Sequence, residues 1–294
     1  MKAHFVVGLG EILWDLLPSG KRLGGAPANF AYHVSSFGLD GMALSATGRD
    51  DLGREIAGTL DSAGLSHSLQ LNDRPTGTVR VTLGGAGIPE YDIVEDVAWD
   101  RLRFDDVFAG IAAECSCVCF GTLAQRAPVS RECIRSFLNA VPEGSLKVYD
   151  INLRQNYYSE DIIRESMSKA DMLKLNDDEL KIVSDMFGYG GAMLPADVCR
   201  RLLEDSGLKL VILTCGTRGS YVVTADKLLF HETPVVDVVD TVGAGDSFTA
   251  TFCAALLKGH GLEAALDAAV RVSAFVCTRE GAMPELPEEL KNLF

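Results

Sequence analysis

Short apolar runs alternate with amphipathic segments along most of this 294-residue chain, and that alternation leaves few folds open. Strand-like runs fall at 4–10, 42–47, 116–120, 147–151, 172–175, 210–214 and 221–224. Apolar residues at helical spacing mark 26–37, 52–63, 131–140, 177–187, 196–206, 245–258 and 262–278. Strands separated by helices predict βαβ units, and so a mostly parallel sheet with helices on both faces. Ligands of such sheets collect beyond the carboxyl ends of the strands, so a chemical motif is expected just after a strand. No repeat or linker breaks the rhythm, and 1–294 reads as a single domain.

One region departs from the pattern. Residues 76–83 and 91–94 are β-branched runs around the turn Gly84-Gly85-Ala86-Gly87, with no helix beside them. With 12–21 as a neighbour, they predict β-excursions spanning 12–24 and 72–100. A small sheet placed over strand ends acts as a lid.

Lys plus Arg is 27 and Asp plus Glu is 41, a net charge of −14. That balance repels a phosphate backbone and argues against nucleic-acid partners. A small anion stays open, because backbone N–H groups hold phosphate locally. The apolar run near Met1 is too short for a signal peptide, and no run reaches the length of about 18 residues that a membrane span needs. The expectation is a cytoplasmic protein with no membrane partner. Eight Cys without a C-x-x-C pair, and five dispersed His, give no zinc pattern. Cys115, Cys117 and Cys119 alternate and are expected on one face of a strand as reduced, core-filling thiols.

No G-x-x-x-x-G-K-[ST] occurs, and Gly8-Leu9-Gly10 meets Leu13 where a third Gly belongs. P-loop and dinucleotide folds are therefore disfavoured. The informative segment is Asp240-Thr241-Val242-Gly243-Ala244-Gly245-Asp246. It follows the apolar run 235–239, expected as a strand, and precedes the helix. Its glycines let N–H groups converge where the helix dipole favours negative charge, and Asp246 stands in the first turn. Phosphoryl transfer needs that combination: donors for developing charge and a base for the incoming hydroxyl. The plainer use of Asp246 is as a helix cap. A second segment, Gly24-Gly25-Ala26-Pro27-Ala28-Asn29, opens the helix that starts at 26. Its glycines admit a ligand to the backbone, and Asn29 both donates and accepts, as a polyol requires. Asp15 follows the first strand. Taken alone, these are a good helix start and a solvated loop acid.

Together these residues resemble the PfkB/ribokinase family of carbohydrate kinases, over about 7–284. Asp240–Asp246 is similar to the family's D-T-x-G-A-G-D signature, and 24–29 to its N-terminal one. Gly48-Arg49-Asp50-Asp51-Leu52-Gly53 matches G-x-D-x-x-G, Asn176-Asp177-Asp178-Glu179 matches N-x-x-E, and Thr214-Cys215-Gly216-Thr217-Arg218-Gly219 matches T-x-G-x-x-G. The resemblance implies a ribokinase-like three-layer α/β/α sandwich with a mostly parallel central sheet and a small β-sheet lid. It implies a kinase whose partners are a small-molecule sugar and ATP, with Mg²⁺. Asp246 is implied as the base, and Gly243, Ala244 and Gly245 as the anion hole. Asn176, Thr214, Gly216 and Gly219 are implied at the nucleotide, with Glu179 holding Mg²⁺ through water. Asp15, Gly24, Gly25 and Asn29 are implied at the sugar. The family's monovalent cation, K⁺, maps to Asp240, Val242, Val276, Arg279 and Gly281, with Glu285 where many members carry a small polar residue.

Within the family, Gly10-Glu11-Ile12-Leu13-Trp14-Asp15, Pro75-Thr76-Gly77-Thr78-Val79, Val97-Ala98-Trp99-Asp100 and Tyr149-Asp150-Ile151-Asn152-Leu153-Arg154 look most like bacterial fructokinases. Ile151 stands where those have Pro. The resemblance implies free fructose as acceptor. Arg154 would also suit a carboxylated sugar such as 2-keto-3-deoxygluconate, because guanidinium matches carboxylate bidentately; a surface ion pair is its plainer use. Ribokinase-like specificity is a further alternative. Trp14 and Trp99 are expected either to close apolar sugar faces or to pack the lid. A non-catalytic sugar- or nucleotide-binding regulator on this fold is the alternative of another class, opposed by the retained Asp246. An exposed lid edge suits a homodimer.

Overall fold

The computed structural model describes residues 4–17, 20–83, 89–190 and 193–294, so the expected turn at 84–87 lies outside the described residues. The strands are β1 (Phe5–Leu9), β2 (Leu13–Leu17), β3 (Gly20–Gly24), β4 (Gly41–Gly48), β5 (Ser66–Asn72), β6 (Gly77–Leu83), β7 (Pro89–Ile93), β8 (Cys115–Phe120), β9 (Leu146–Asp150), β10 (Met172–Asn176), β11 (Leu210–Thr214), β12 (Ser220–Val223) and β13 (Leu228–His231). The helices are α1 (Ala26–Ser35), α2 (Asp51–Ser62), α3 (Asp106–Ala113), α4 (Pro128–Ala140), α5 (Glu160–Lys169), α6 (Asp177–Met186), α7 (Pro195–Ser206), α8 (Ala244–Leu257), α9 (Leu262–Cys277) and α10 (Glu288–Lys291).

Nine strands form one sheet in the order β13-β12-β11-β10-β9-β8-β1-β4-β5. The run from β11 to β5 is parallel, and β12 and β13 close the other edge antiparallel. Helices cover both faces, which is why Leu210-Val211-Ile212-Leu213 is an unbroken apolar run. Alternate strand residues feed two cores. Val7, Leu9, Leu173 and Leu175 pack with α3 to α7, whereas Val6, Met172 and Ile212 pack with α1, α8 and α9. This is a three-layer α/β/α fold of ribokinase-like form. Helix α8 lies between sheet and neighbouring helices, so Ser247 to Ala255 are all buried and its apolar residues are not confined to one stripe.

The excursions meet in a second sheet, β3-β2-β6-β7. It is mixed: β2 runs parallel to β6, and the outer pairs are antiparallel. Trp14 and Trp99 are buried, with Trp14 Nε1 donating to Leu52 O at 3.0 Å and Trp99 packed under the Arg126 guanidinium at 4.0 Å. They pack the region and do not line the cleft described below.

Two expectations are corrected. Residues 235–239 pair with no strand: the segment is irregular, with a bend at Val239, and Val235, Val238 and Val239 are exposed, because β13 already closes the sheet edge. Strand β8 does not present its three cysteines to one face. The β1–β8 ladder shifts register between Phe5 and Val6, so Cys115 joins one core while Cys117 and Cys119 join the other. All eight cysteines are free thiols, and Cys277 is half-buried where the other seven are buried.

Close approach of α1 to β1 is what brings its first turn to the sheet end. A Cβ at Gly8 would overlap the carbonyl of Pro27, backbone against backbone. Gly8→Ala is expected to destabilise the fold by roughly 1–3 kcal/mol, seen as a lower denaturant midpoint with unchanged slope.

Candidate active site

The carboxyl ends of β1, β9, β10 and β11 open into a cleft of about 810 Å³, with the small sheet over one half through Leu13, Asp15, Val79 and Ile93. Its floor is the meeting point of two helix starts. Gly25 precedes α1 and Gly243 precedes α8, and neither helix has a side-chain cap. Gly243 sits at φ 79°, and a Cβ there would strike Ala282, so glycine is required on both counts. First-turn N–H groups of α8 are thus left to face the cleft.

Asp246 does not cap its helix. Its Oδ2 accepts from Asn29 Nδ2 at 2.7 Å, tying the start of α8 to the start of α1. Burial pushes the Asp246 carboxyl up to about 6, and Asp150 adds to the rise. The Asn29 hydrogen bond, Lys174 and Arg154 pull it down. Glu11 lies next to this pair, 3% exposed. Burial pushes it up to about 7, against its own backbone N–H and Arg154, with Asp246 raising it further. Glu11 Oε2 and Asn29 Oδ1 are buried with no protein partner. Asp15 is half-buried and raised by burial, with Arg154 lowering it. Gly24 leaves it room, since a Cβ there would come within 2.6 Å of Asp15 Oδ2. Arg154 is exposed at the cleft mouth beyond Asn152, which holds φ 43°.

Beneath Gly245 lies a buried ion pair. Lys174 Nζ is 3.1 Å from Asp150 Oδ1, and Thr249 Oγ1 donates to Asp150 Oδ2 at 2.8 Å. Burial alone would lower the Lys174 ammonium, but Asp150, Glu179 and Asp246 outweigh it and hold it above its ordinary value.

In the other half, Asn176 and Glu179 form a capping box: Asn176 Oδ1 accepts from Glu179 N at 2.8 Å, and Glu179 Oε2 from Asn176 N at 2.9 Å. Glu179 Oε1 accepts from Leu153 N at 2.9 Å, so the first role of Glu179 is to tie the β9 and β10 ends together. Thr214 and Gly216 line the cleft with Val235, Val236 and Val238. Gly219 does not; it stands behind the loop, where a Cβ would meet His231 O. Among the described residues no cluster of three or more His, Cys, Asp or Glu is arranged for a metal ion.

Of the residues mapped to a monovalent cation, Asp240, Val242 and Gly281 do converge. Asp240 Oδ1 accepts from Val242 N at 3.1 Å, and its Oδ2 from Gly281 N at 3.1 Å and Arg22 Nη1 at 3.0 Å. The Val276 carbonyl accepts from Arg279 N at 3.0 Å, and the Arg279 guanidinium turns outward onto Phe275. The sequence motifs missed Glu11, Asp150 and Lys174 as site residues. Glu11 and Asp150 carried a signal, since each lies in one of the fructokinase-like stretches 10–15 and 149–154, whereas Lys174 lies in no motif.

The comparisons decide what kind of site this is. Residues 19–289 match the model of the pfkB family carbohydrate kinases. The chain belongs to that family. It is a sugar kinase, and its relatives differ in acceptor. The ATP-dependent 6-phosphofructokinase of Thermoanaerobacterium thermosaccharolyticum is 27% identical, covering 98% of this chain and 92% of that protein. A fructokinase of Escherichia coli is 27% identical, covering 97% of each. The structure of Xylella fastidiosa fructokinase with bound ATP superposes with a TM-score of 0.83 at 20% identity, over 100% of this chain and 98% of that one.

The carboxylate at the helix junction gives a direct measurement. Asp246 should titrate with a midpoint of about 6 in ¹³C NMR difference spectra against Asp246→Asn. Asn29→Ala removes a downward influence, so the midpoint should rise in that variant.

Proposed function

We propose that this sugar kinase transfers the γ-phosphoryl group of ATP to a hydroxyl of a free, neutral hexose, with fructose the acceptor its site suits best. The supporting observation is the pair of buried oxygens, Glu11 Oε2 and Asn29 Oδ1, that lack protein donors beside Asp246. A polyol supplies such donors and brings its reacting hydroxyl to the carboxylate. The described lining of this half sets Glu11, Asp15 and Asp246 against Arg154. That balance favours an uncharged sugar over a sugar phosphate.

In this reading the sugar hydroxyl oxygen attacks the γ-phosphorus, the bond to the bridging oxygen breaks, and ADP departs. The hydroxyl proton passes to Asp246, which at about 6 is mostly ionised at neutral pH. N–H groups of the Gly243–Gly245 turn meet the charge on the transferring group. Mg²⁺ would arrive on the nucleotide and neutralise phosphate charge, held through water at Asn176 and Glu179. Glu179's committed oxygens fit that indirect role. The K⁺ residues fit less well: the one carboxylate among them, Asp240, already has the Arg22 guanidinium beside it, and no step is assigned to the ion. The small sheet is read as a lid on one kinase domain spanning the chain, excluding water as it closes. Its exposed edges make it the surface for a homodimer, which light scattering would reveal. A cytoplasmic setting completes the reading; among the described residues no helix is long and apolar enough to cross a membrane.

Asp246→Asn should lower turnover by ~10² or more while melting temperature and ATP affinity stay near wild type. Wild-type turnover in that variant would sink the reading. The exposed Arg154 favours one second reading, a carboxylated acceptor such as 2-keto-3-deoxygluconate. Mg·ATP turnover on fructose, ribose, 2-keto-3-deoxygluconate and fructose phosphates separates them, and Arg154→Glu should harm the acidic sugar far more than fructose. Sugar binding without turnover on the whole panel would instead indicate a regulator.

A further inference from the structure

Among the charged residues that line the cleft, Lys174 is buried and is left unused by the roles above. It lies on β10 between Leu173 and Leu175, which face the α3–α7 core, so it points the opposite way, under the first turn of α8. It is 7% exposed, yet it lines the cleft. A side chain at Gly245 would come within 2.8 Å of its Nζ. The ammonium therefore presses against the turn whose N–H groups face the phosphoryl position.

Its anchorage is complete on one side only. Asp150 Oδ1 takes one of its three protons, and Asp150 Oδ2 is committed to Thr249 Oγ1. The same Thr249 hydroxyl is 3.0 Å from Gly245 O, so anchor and turn move as one piece. Stability alone does not call for this pair. Apolar residues of similar volume usually serve a core as well as a buried ion pair does. What the pair provides is a fixed cation, with donors to spare, at a place otherwise crowded by Asp246 and Glu179.

We propose that Lys174 is a catalytic residue whose ammonium contacts the transferring phosphoryl group, facing the N–H donors of the Gly243–Gly245 turn. Asp150 and Thr249 position it. This rests on the phosphoryl-transfer reading of the cleft. A cation there stabilises charge spread over the equatorial oxygens without reorganising as the reaction proceeds.

The test compares Lys174→Met with the double variant Lys174→Met/Asp150→Asn, by steady-state kinetics with Mg·ATP and the best sugar of the panel. Lys174→Met should lower kcat ~10²-fold with both KM values within about threefold of wild type, and the double variant should stay equally low. If Lys174 merely neutralises Asp150, removing both charges restores kcat, and that recovery overturns the proposal. A Lys174→Met kcat within about threefold of wild type overturns it too. Should Lys174→Met fail to fold, the double variant, which leaves no unpaired buried charge, carries the comparison. A wild-type chain with no sugar-dependent ADP release removes the parent reading; wild-type turnover with an unimpaired Lys174→Met removes this one alone.

Discussion

Asn29 and Asp246 lie 217 positions apart in the chain and 2.7 Å apart in space, and the site depends on that contact. It joins the N-terminal ends of α1 and α8, each carrying a partial positive charge. Asn29 of α1 and Ala244 to Asp246 of α8 line the cleft, so in the proposed transfer the hydrogen bond fixes where acceptor and phosphoryl group meet. Two absences of side chain make it reachable. Gly8 lets the start of α1 lie on β1, and Gly243 lets the turn before α8 fold against Ala282. Larger residues at either place would draw the helix starts apart by more than a hydrogen bond tolerates.

The same junction concentrates acid. Glu11 and Asp246 stand above their ordinary values of 4.5 and 3.8, so their ionisation costs more in the fold than in the open chain. The stability they contribute is present below those ordinary values and is lost as pH rises toward about 7 and about 6. A chain of net charge −14 thus keeps strained carboxylates where it must also admit a polyphosphate. Local geometry resolves the conflict. Helix N–H groups and buried Lys174 act within a few ångströms, while most of the surface charge is screened beyond a Debye length of ~8 Å.

The glycine-bearing motifs could be read from the sequence because backbone geometry demands particular residue types. Gly243 at φ 79° and the Asn176–Glu179 capping box are visible as letters. The alternating elements were legible for a similar reason, since period 2 and period 3.6 follow from burial. Failures came where burial and periodicity part company. The run 235–239 has strand composition, but its Val235, Val236 and Val238 line the cleft, so apolar character reported a lining rather than a core. Cys115 faces the wrong core because one register shift undoes an alternation argument. Lys174 falls inside the strand-like run 172–175 with no motif to mark it, and only the three-dimensional path of α8 puts Gly245 over it.

The small sheet is coupled to this centre by one ladder. Asp15 on β2 pairs in register with Arg22 on β3. Asp15 lines the cleft, whereas Arg22 reaches Asp240, at the base of the turn that ends in Asp246. Part of the Arg22 guanidinium is open to water, so the pair stabilises the fold little. Its effect is geometric. Through Arg22, β3 holds the carboxylate that accepts from Val242 N and Gly281 N on either side of the turn. In the proposed reading, the acceptor side of the cleft and the Gly243–Gly245 turn are therefore connected through two strands and one ion pair.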